Sequence, residues 1–431
     1  MQKLMIIGIA IMIYSSMAYG QDDKGICFEY NLSWEDLLAK ANMQNKYIFV
    51  DCYATWCAPC KLMDKNIYSD DSLGQYMNNR FVCIKLQMDS SAKDNEEIRS
   101  WYDTAHGFAS QYHIEVYPTY LFFSPDGHVV HKGLGYKGVK DFFAVAEAAI
   151  DPDHQYYTLL SNYRSGIIDY TLLPALANAA ASLGQYKIVN EAARDFVYRG
   201  LDALPARQFW NHDNIFFVYK YWDAIKFDDR TFKSYYKNRK LIDSVMNQKG
   251  FAIALIDYVI YGQEIKPEVN KVLKESGMEP DWKGLEDTIR RSSDEYFARK
   301  SVIRGRVLYY HKRKDWNQYI KYLILQEEDN GIESHERHGV DVTALNNYAY
   351  EIFQYSNDKK RLRRALSWVD RALALSKEPD PQAMDTKANL EYKLGKNKEG
   401  IALEEKAYAL SHDDKDIKGN LEKMRDGLPT W

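Results

Sequence analysis

A chain of 431 residues exceeds what one ordinary core accommodates, so two or three domains are expected. The composition, 46% hydrophobic and 27% charged, is that of a folded soluble protein. A formal net charge of −4 argues against nucleic acid as a partner, which would call for a basic face.

The first twenty residues read as an export signal: Lys3, an apolar run from Leu4 to Tyr14, then Ala18-Tyr19-Gly20 as a small-x-small cleavage site before Gln21. The apolar run is short for a bilayer span, and no later stretch is apolar enough for one. Cys27 lies too far past the cleavage point to carry a lipid anchor. The expected location is therefore the periplasm, as a soluble protein.

Residues 26–150 alternate helix and strand. Ser33-Trp34-Glu35-Asp36 has the form of a capped helix start, leading to Leu37, Leu38 and Ala41. Tyr47–Tyr53 reads as a strand, and the helix after it sets Leu62, Met63 and Ile67 on roughly one face. Phe81–Leu86 is a second strand, and Asn95 to about His113 is a polar helical stretch. Thr119–Phe123 and His128–Val130 flank the turn Ser124-Pro125-Asp126-Gly127, and a helix from Val139 to Ala149 closes the unit. This alternation predicts an α/β sheet layered with helices.

After Asp151-Pro152-Asp153 strand signals vanish and helical periodicity runs to the end. Residues 151–340 are expected to be helical, and 341–425 to hold helical repeats. Ala365, Ala372 and Leu375 recur 35 positions on as Gly400, Ala407 and Leu410, close to the spacing of a tetratricopeptide unit. Asn347-Tyr348-Ala349 and Thr386-Lys387-Ala388 occupy similar places in the preceding helices, and Leu394-Gly395 supplies a turn. Small residues at fixed spacing let paired helices approach closely.

The five cysteines are Cys27, Cys52, Cys57, Cys60 and Cys83, too few and too uneven for a disulfide scaffold. Cys52 and Cys83 fall inside apolar strand patterns and read as small buried hydrophobes; Cys27 has no assigned role. Trp56-Cys57-Ala58-Pro59-Cys60-Lys61 is different. A strand feeding a helix that opens with Cys-x-x-Cys sets the first sulfur at a helix N-terminus, where unpaired N–H groups and the dipole favour the thiolate. The second thiol lies one turn away and can resolve a mixed disulfide.

Residues 28–150 resemble the thioredoxin superfamily, particularly its exported bacterial members. The resemblance rests on Asp51 six residues before Cys57, Trp56 and Lys61 flanking the pair, Tyr117-Pro118-Thr119 before an apolar strand, Asp126-Gly127 in the hairpin, and Gly135. It implies a thioredoxin-like α/β domain ahead of the all-α, tetratricopeptide-like region. It also implies a thiol–disulfide oxidoreductase whose Cys57 is the exposed nucleophile and whose Cys60 resolves. Asp51 would be a buried carboxylate taking a proton from Cys60, or a structural acid paired with Lys85; the two roles are compatible. Trp56, Pro59, Tyr117, a cis Pro118 and Thr119 would form the client-binding rim. Proline at position 59 places the pair toward the reducing end. No cofactor beyond the Cys57–Cys60 disulfide is implied. The partners would be disulfide-bearing client proteins and a membrane-borne electron donor. The sequence departs from the cytosolic pattern at Ala58, at Tyr53 and in an insertion from Asp89 to His113.

Two other readings compete. Zinc would need further ligands, and there is no second Cys-x-x-Cys, while His106 and His113 lack a partner spacing. His335-Glu336-Arg337-His338 has its histidines three apart, where a zinc-protease helix needs four, and reads as a solvated turn. Helical repeats also present concave surfaces to partners, so a non-catalytic binding scaffold is the alternative function.

Overall fold

The computed structural model describes residues 25–167, 169–201, 204–275, 278–330 and 342–431. The expected export signal and the His335–His338 segment lie outside the described residues. Among the described residues no helix is long and apolar enough to cross a membrane. The chain divides into two compact units, one ending at Ala203 and the other beginning at Leu204.

The first unit is built on a four-stranded sheet in the order β2-β1-β3-β4. Its elements are α1 (Trp34–Gln44), β1 (Tyr47–Tyr53), α2 (Ala58–Asn66), α3 (Asp71–Arg80), β2 (Phe81–Gln87), α4 (Glu96–Ser100), α5 (Tyr102–Gln111), β3 (Thr119–Phe123), β4 (Val129–Leu134) and α6 (Val139–Ile150). β1 and β2 run parallel, so α2 and α3 form the crossover such a pair requires. β3 and β4 join antiparallel through the expected hairpin, where Gly127 takes φ +85°. Ser33 and Asp36 form the expected reciprocal capping box on α1.

The period-two alternation of β1 assigns its side chains to two cores. Phe49 joins Met63 of α2, Tyr120 and Phe122 of β3 and Phe142 of α6. Ile48, Val50 and Cys52 face the other way, onto Leu37 of α1, Phe108 of α5 and Leu121. Asp51 shares the Phe49 face by the same parity, which puts an acid on the side covered by the cysteine helix.

Several expectations need correction. Leu62 is exposed, whereas Met63 and Ile67 are buried. Residues adjacent on a helix point about 100° apart, so the inward stripe runs through Cys60, Met63 and Ile67. The polar stretch 95–113 is two helices broken at Trp101, where the shorter α4 is capped by Asn95 and the longer α5 buries Ala105 and Phe108. Helix α3, capped by Asp70, was not read from the sequence.

The texture change at Asp151 does not end the first unit. Helices α7 (Tyr156–Arg164), α8 (Leu173–Ser182) and α9 (Tyr186–Asp195) continue it. His131 on β4 accepts a hydrogen bond from the Tyr156 backbone N–H at 3.1 Å, and Tyr157 packs edge-on against Tyr112. A buried imidazole and an aromatic pair thus tie the first helix of the helical stretch to the sheet.

The second unit is helical throughout its described residues. Its last part contains the pairs Val342–Tyr355 with Lys359–Leu375 and Pro381–Lys393 with Asn397–Leu410, followed by Lys415–Arg425. The recurring small residues Ala365, Ala372, Gly400 and Ala407 are all buried. A Cβ at Gly400 would lie 2.9 Å from the Ala388 carbonyl oxygen, so the second pair meets closely where a side chain is missing.

Candidate active site

The loop from β1 into α2 carries the reactive pair. Cys57 is the N-cap of α2, and its Sγ accepts a hydrogen bond from the Cys60 backbone N–H at 3.1 Å. Pro59 sits within the first turn, where its missing N–H costs nothing because that group has no intrahelical partner. Cys57 and Cys60 form a disulfide, with Cα atoms 5.4 Å apart. On reduction, the N–H that now meets a disulfide sulfur would meet a thiolate, a stronger charge-assisted contact.

Contrary to the expected exposed nucleophile, Cys57 is only 2% exposed in this disulfide form, and Cys60 3%. Ala54, Tyr53 and Tyr117 pack on the two cysteines. Trp56 is 70% exposed, and its ring stands edge-on to Tyr117 at 5.8 Å. Pro59 is exposed beside them.

The Tyr117–Pro118 peptide is cis, as the resemblance implied. The Pro118 carbonyl accepts the Gly135 N–H at 2.8 Å, and Gly135, at φ +73°, makes the turn beyond β4. Thr119 does not project to the rim as expected. It is fully buried, and its hydroxyl donates to the Val116 carbonyl at 2.6 Å, so its side chain serves the turn itself.

On the Phe49 face of β1, toward α2, lies Asp51, 1% exposed, with neither carboxylate oxygen hydrogen-bonded to protein. Burial raises its pKa to about 7, against the opposing pull of Lys85. Lys85 is its register partner on β2, and Lys85 Nζ lies 3.6 Å from Asp51 Oδ2. The same ammonium pairs with Asp64 on α2 and lies over the Tyr53 ring at 5.1 Å. Lys85, Asp64 and Tyr53 also line a cleft of about 340 Å³, while Asp51 itself stays buried behind them.

Cys52 and Cys83 are buried as expected, and burial raises both thiol pKa values. They are therefore poor nucleophiles at neutral pH. Cys27 Sγ accepts from Asn78 Nδ2 at 3.1 Å. Among the described residues no group of three or more His, Cys, Asp or Glu side chains is placed to hold a metal.

One contact at the site had no signal in the sequence. Asp89, the first residue of the insertion, accepts the Thr55 backbone N–H at 3.0 Å on Oδ1 and the Thr55 hydroxyl on Oδ2. An acid fixed to the cysteine loop from the loop after β2, 34 residues away in sequence, becomes visible only once β1 and β2 are paired.

The family described as "Thioredoxin-like" matches residues 30–125. The chain is 33% identical over 99 residues to the thiol:disulfide interchange protein DsbD of Colwellia psychrerythraea, covering 23% of this chain and 14% of that protein. It is 29% identical over 92 residues to the thioredoxin of Mycoplasmoides gallisepticum, covering 21% of this chain and 73% of that protein. The solved DsbH oxidoreductase aligns at 16% identity with a TM-score of 0.26, covering 29% of this chain and 85% of that one. The chain thus spans about one seventh of the DsbD relative it matches. The matched segment carries the first three strands of the sheet, the cysteine-capped helix and the cis proline, and it marks a thioredoxin-like domain within a longer, mainly helical chain.

Proposed function

We propose that this protein is an exported, periplasmic thiol–disulfide oxidoreductase that reduces disulfides in client proteins. The observation that carries the reading is the Cys57–Cys60 disulfide capping α2 beside the Tyr117–Pro118 turn.

In the reduced protein the Cys57 thiolate attacks one sulfur of a client disulfide. A mixed disulfide forms, and the client's other sulfur leaves as a thiolate and takes up a proton. Cys60 then loses its proton toward the Asp51 carboxylate and attacks Cys57 Sγ. The client's second thiolate departs and is protonated, leaving Cys57–Cys60 oxidised and the client carrying two thiols. A pKa of about 7 suits Asp51 to this exchange, because at neutral pH it is neither always charged nor always neutral. Lys85 holds the charged form when it appears. Two electrons leave per cycle, so a dithiol donor must restore the pair; a membrane-borne donor would supply it.

Trp56, Pro59 and Tyr117 form the apolar rim for the client segment, and the Tyr117–Pro118 turn supports it. The helical remainder, with its tetratricopeptide-like pairs, selects or holds clients. A scaffold without chemistry would have no use for an N-capping cysteine pair and a buried, unsatisfied acid.

The test is insulin reduction with dithiothreitol as electron source. The protein should accelerate precipitation and Cys57→Ala should not. Full activity in Cys57→Ala would overturn the proposal.

A further inference from the structure

We infer that Asp89 is a positioning residue that latches the Thr55–Trp56 segment over the dithiol and so limits access to Cys57. This rests on the proposed redox role of the site and adds to it a control on which reactants reach the sulfur.

The chain enters the cysteine turn through Tyr53-Ala54-Thr55-Trp56. Its first half is fixed by strand pairing: the Met88 N–H donates to the Tyr53 carbonyl at 2.8 Å. Its second half has left the sheet and depends on a side chain. Both polar groups of Thr55, backbone N–H and hydroxyl, donate to the one Asp89 carboxylate, and Trp56 follows directly. Trp56 is then held against Tyr117, one of the residues packed on the two cysteines, neither of which is more than 3% exposed.

Asp89 is itself held in place. Its carbonyl accepts Gln87 Nε2 at 3.1 Å, and the same nitrogen donates to Asp94 Oδ2 at 2.9 Å. Asp94 further accepts the Ser91 N–H at 2.7 Å and the Tyr102 hydroxyl at 2.6 Å. The start of the insertion is thus a braced loop that meets the cysteine turn through the Asp89 carboxylate. Exposed hydrogen bonds of this kind are individually weak, so the latch can open at small cost when a partner displaces Trp56. A protein partner that buries Trp56 gains the apolar contact that offsets opening; a small thiol does not.

The experiment follows the Cys57–Cys60 disulfide of the full chain reacting with reduced dithiothreitol, and the dithiol reacting with oxidised dithiothreitol. Iodoacetamide quenching and mass spectrometry read the rates. In reduction, a dithiothreitol thiolate attacks Cys57 Sγ and Cys60 leaves. The reagent's second thiol then closes its own ring and frees Cys57, so two electrons pass from reagent to protein.

Asp89→Ala and Thr55→Val should each raise both rates roughly five-fold, the effect of losing about one hydrogen bond. The equilibrium constant with dithiothreitol should not move, because a latch changes access equally in both directions. Asp89→Asn, which keeps an acceptor for the Thr55 N–H, should stay near the wild-type rates. Unchanged rates in both disrupting variants would overturn the inference. So would a shifted equilibrium, or an Asn variant that matches Ala, since either would assign the effect to charge. Because the readout is the protein's own disulfide, loss of insulin reduction would refute the enzymatic reading without touching this one.

Discussion

Lys85 lies across the parallel β1–β2 ladder from Asp51, with its Nζ 3.6 Å from Asp51 Oδ2 and its second contact on Asp64 of the cysteine helix. Strand register therefore decides that the buried acid has a cation within reach, and helix placement decides that this cation is shared. The shared cation does not overcome burial: Asp51 keeps a pKa near 7.

Asp51 should therefore cost stability once it ionises. Its folded pKa of about 7 lies above the ordinary value of 3.8, so the folded state binds the proton more tightly. Stability from this group is fully present below pH 3.8, declines as pH rises toward 7, and is flat above. Asp51→Asn removes the decline. Urea unfolding should show the variant more stable by up to about 4 kcal/mol at pH 8 and no different at pH 3.5. Its insulin reduction should slow at the same time, since the proposed mechanism uses Asp51 as the proton acceptor for Cys60.

Cys60→Ser should capture clients. The variant keeps the N-capping Cys57 but has no sulfur to displace the bound client. Mixed disulfides resistant to alkylation and released by dithiothreitol should accumulate in a periplasmic extract, visible on non-reducing gels. The double variant Cys57→Ala/Cys60→Ser should trap none.

His131 gives the first unit an acid-sensitive joint. Burial lowers its pKa from 6.5 to about 4, and its Nδ1 is occupied by the Tyr156 N–H. The unfolded state therefore takes the proton first as pH falls. Stability from the neutral ring is complete above pH 6.5, is lost progressively down to about pH 4, and is flat below. The full loss is about 3 kcal/mol. His131→Gln keeps an acceptor without that titration, so the difference between the two unfolding curves should shrink across this window.

Gly400→Val should weaken the last helix pairs. The Cβ position is already 2.9 Å from the Ala388 carbonyl oxygen, and two further methyl groups must displace Pro381–Lys393. Overpacking of this kind costs about 2 kcal/mol, more than the helix propensity gained on replacing glycine. Thermal unfolding should show a lowered transition, while dithiothreitol reduction of Cys57–Cys60 stays unchanged.

Much of the site was legible because its parts are local. Cys57 caps α2 since a strand, a cysteine pair and an early proline follow each other directly, and the Ser33–Asp36 capping box is equally short-range. Leu62 was misplaced because a short polar helix does not reveal which neighbour starts the buried stripe; packing on Phe49 and Phe142 selects Met63. The burial of Cys57 is not legible locally because Tyr117, which packs on it, is distant in sequence.

The amino-acid order by itself determined the chemistry available, a dithiol at a helix head, because that depends on spacing and backbone preference acting over a few residues; the proline turn beside it and the buried acid were implied by the family resemblance. Only the tertiary structure decided the conditions of that chemistry. Asp51's burial beside Lys85, the Asp89 hold on Thr55, and the attachment of the helices after residue 150 through His131 all require strands and helices distant in sequence to be in register. Desolvation and hydrogen-bond geometry are properties of that assembled packing, and no local pattern encodes them.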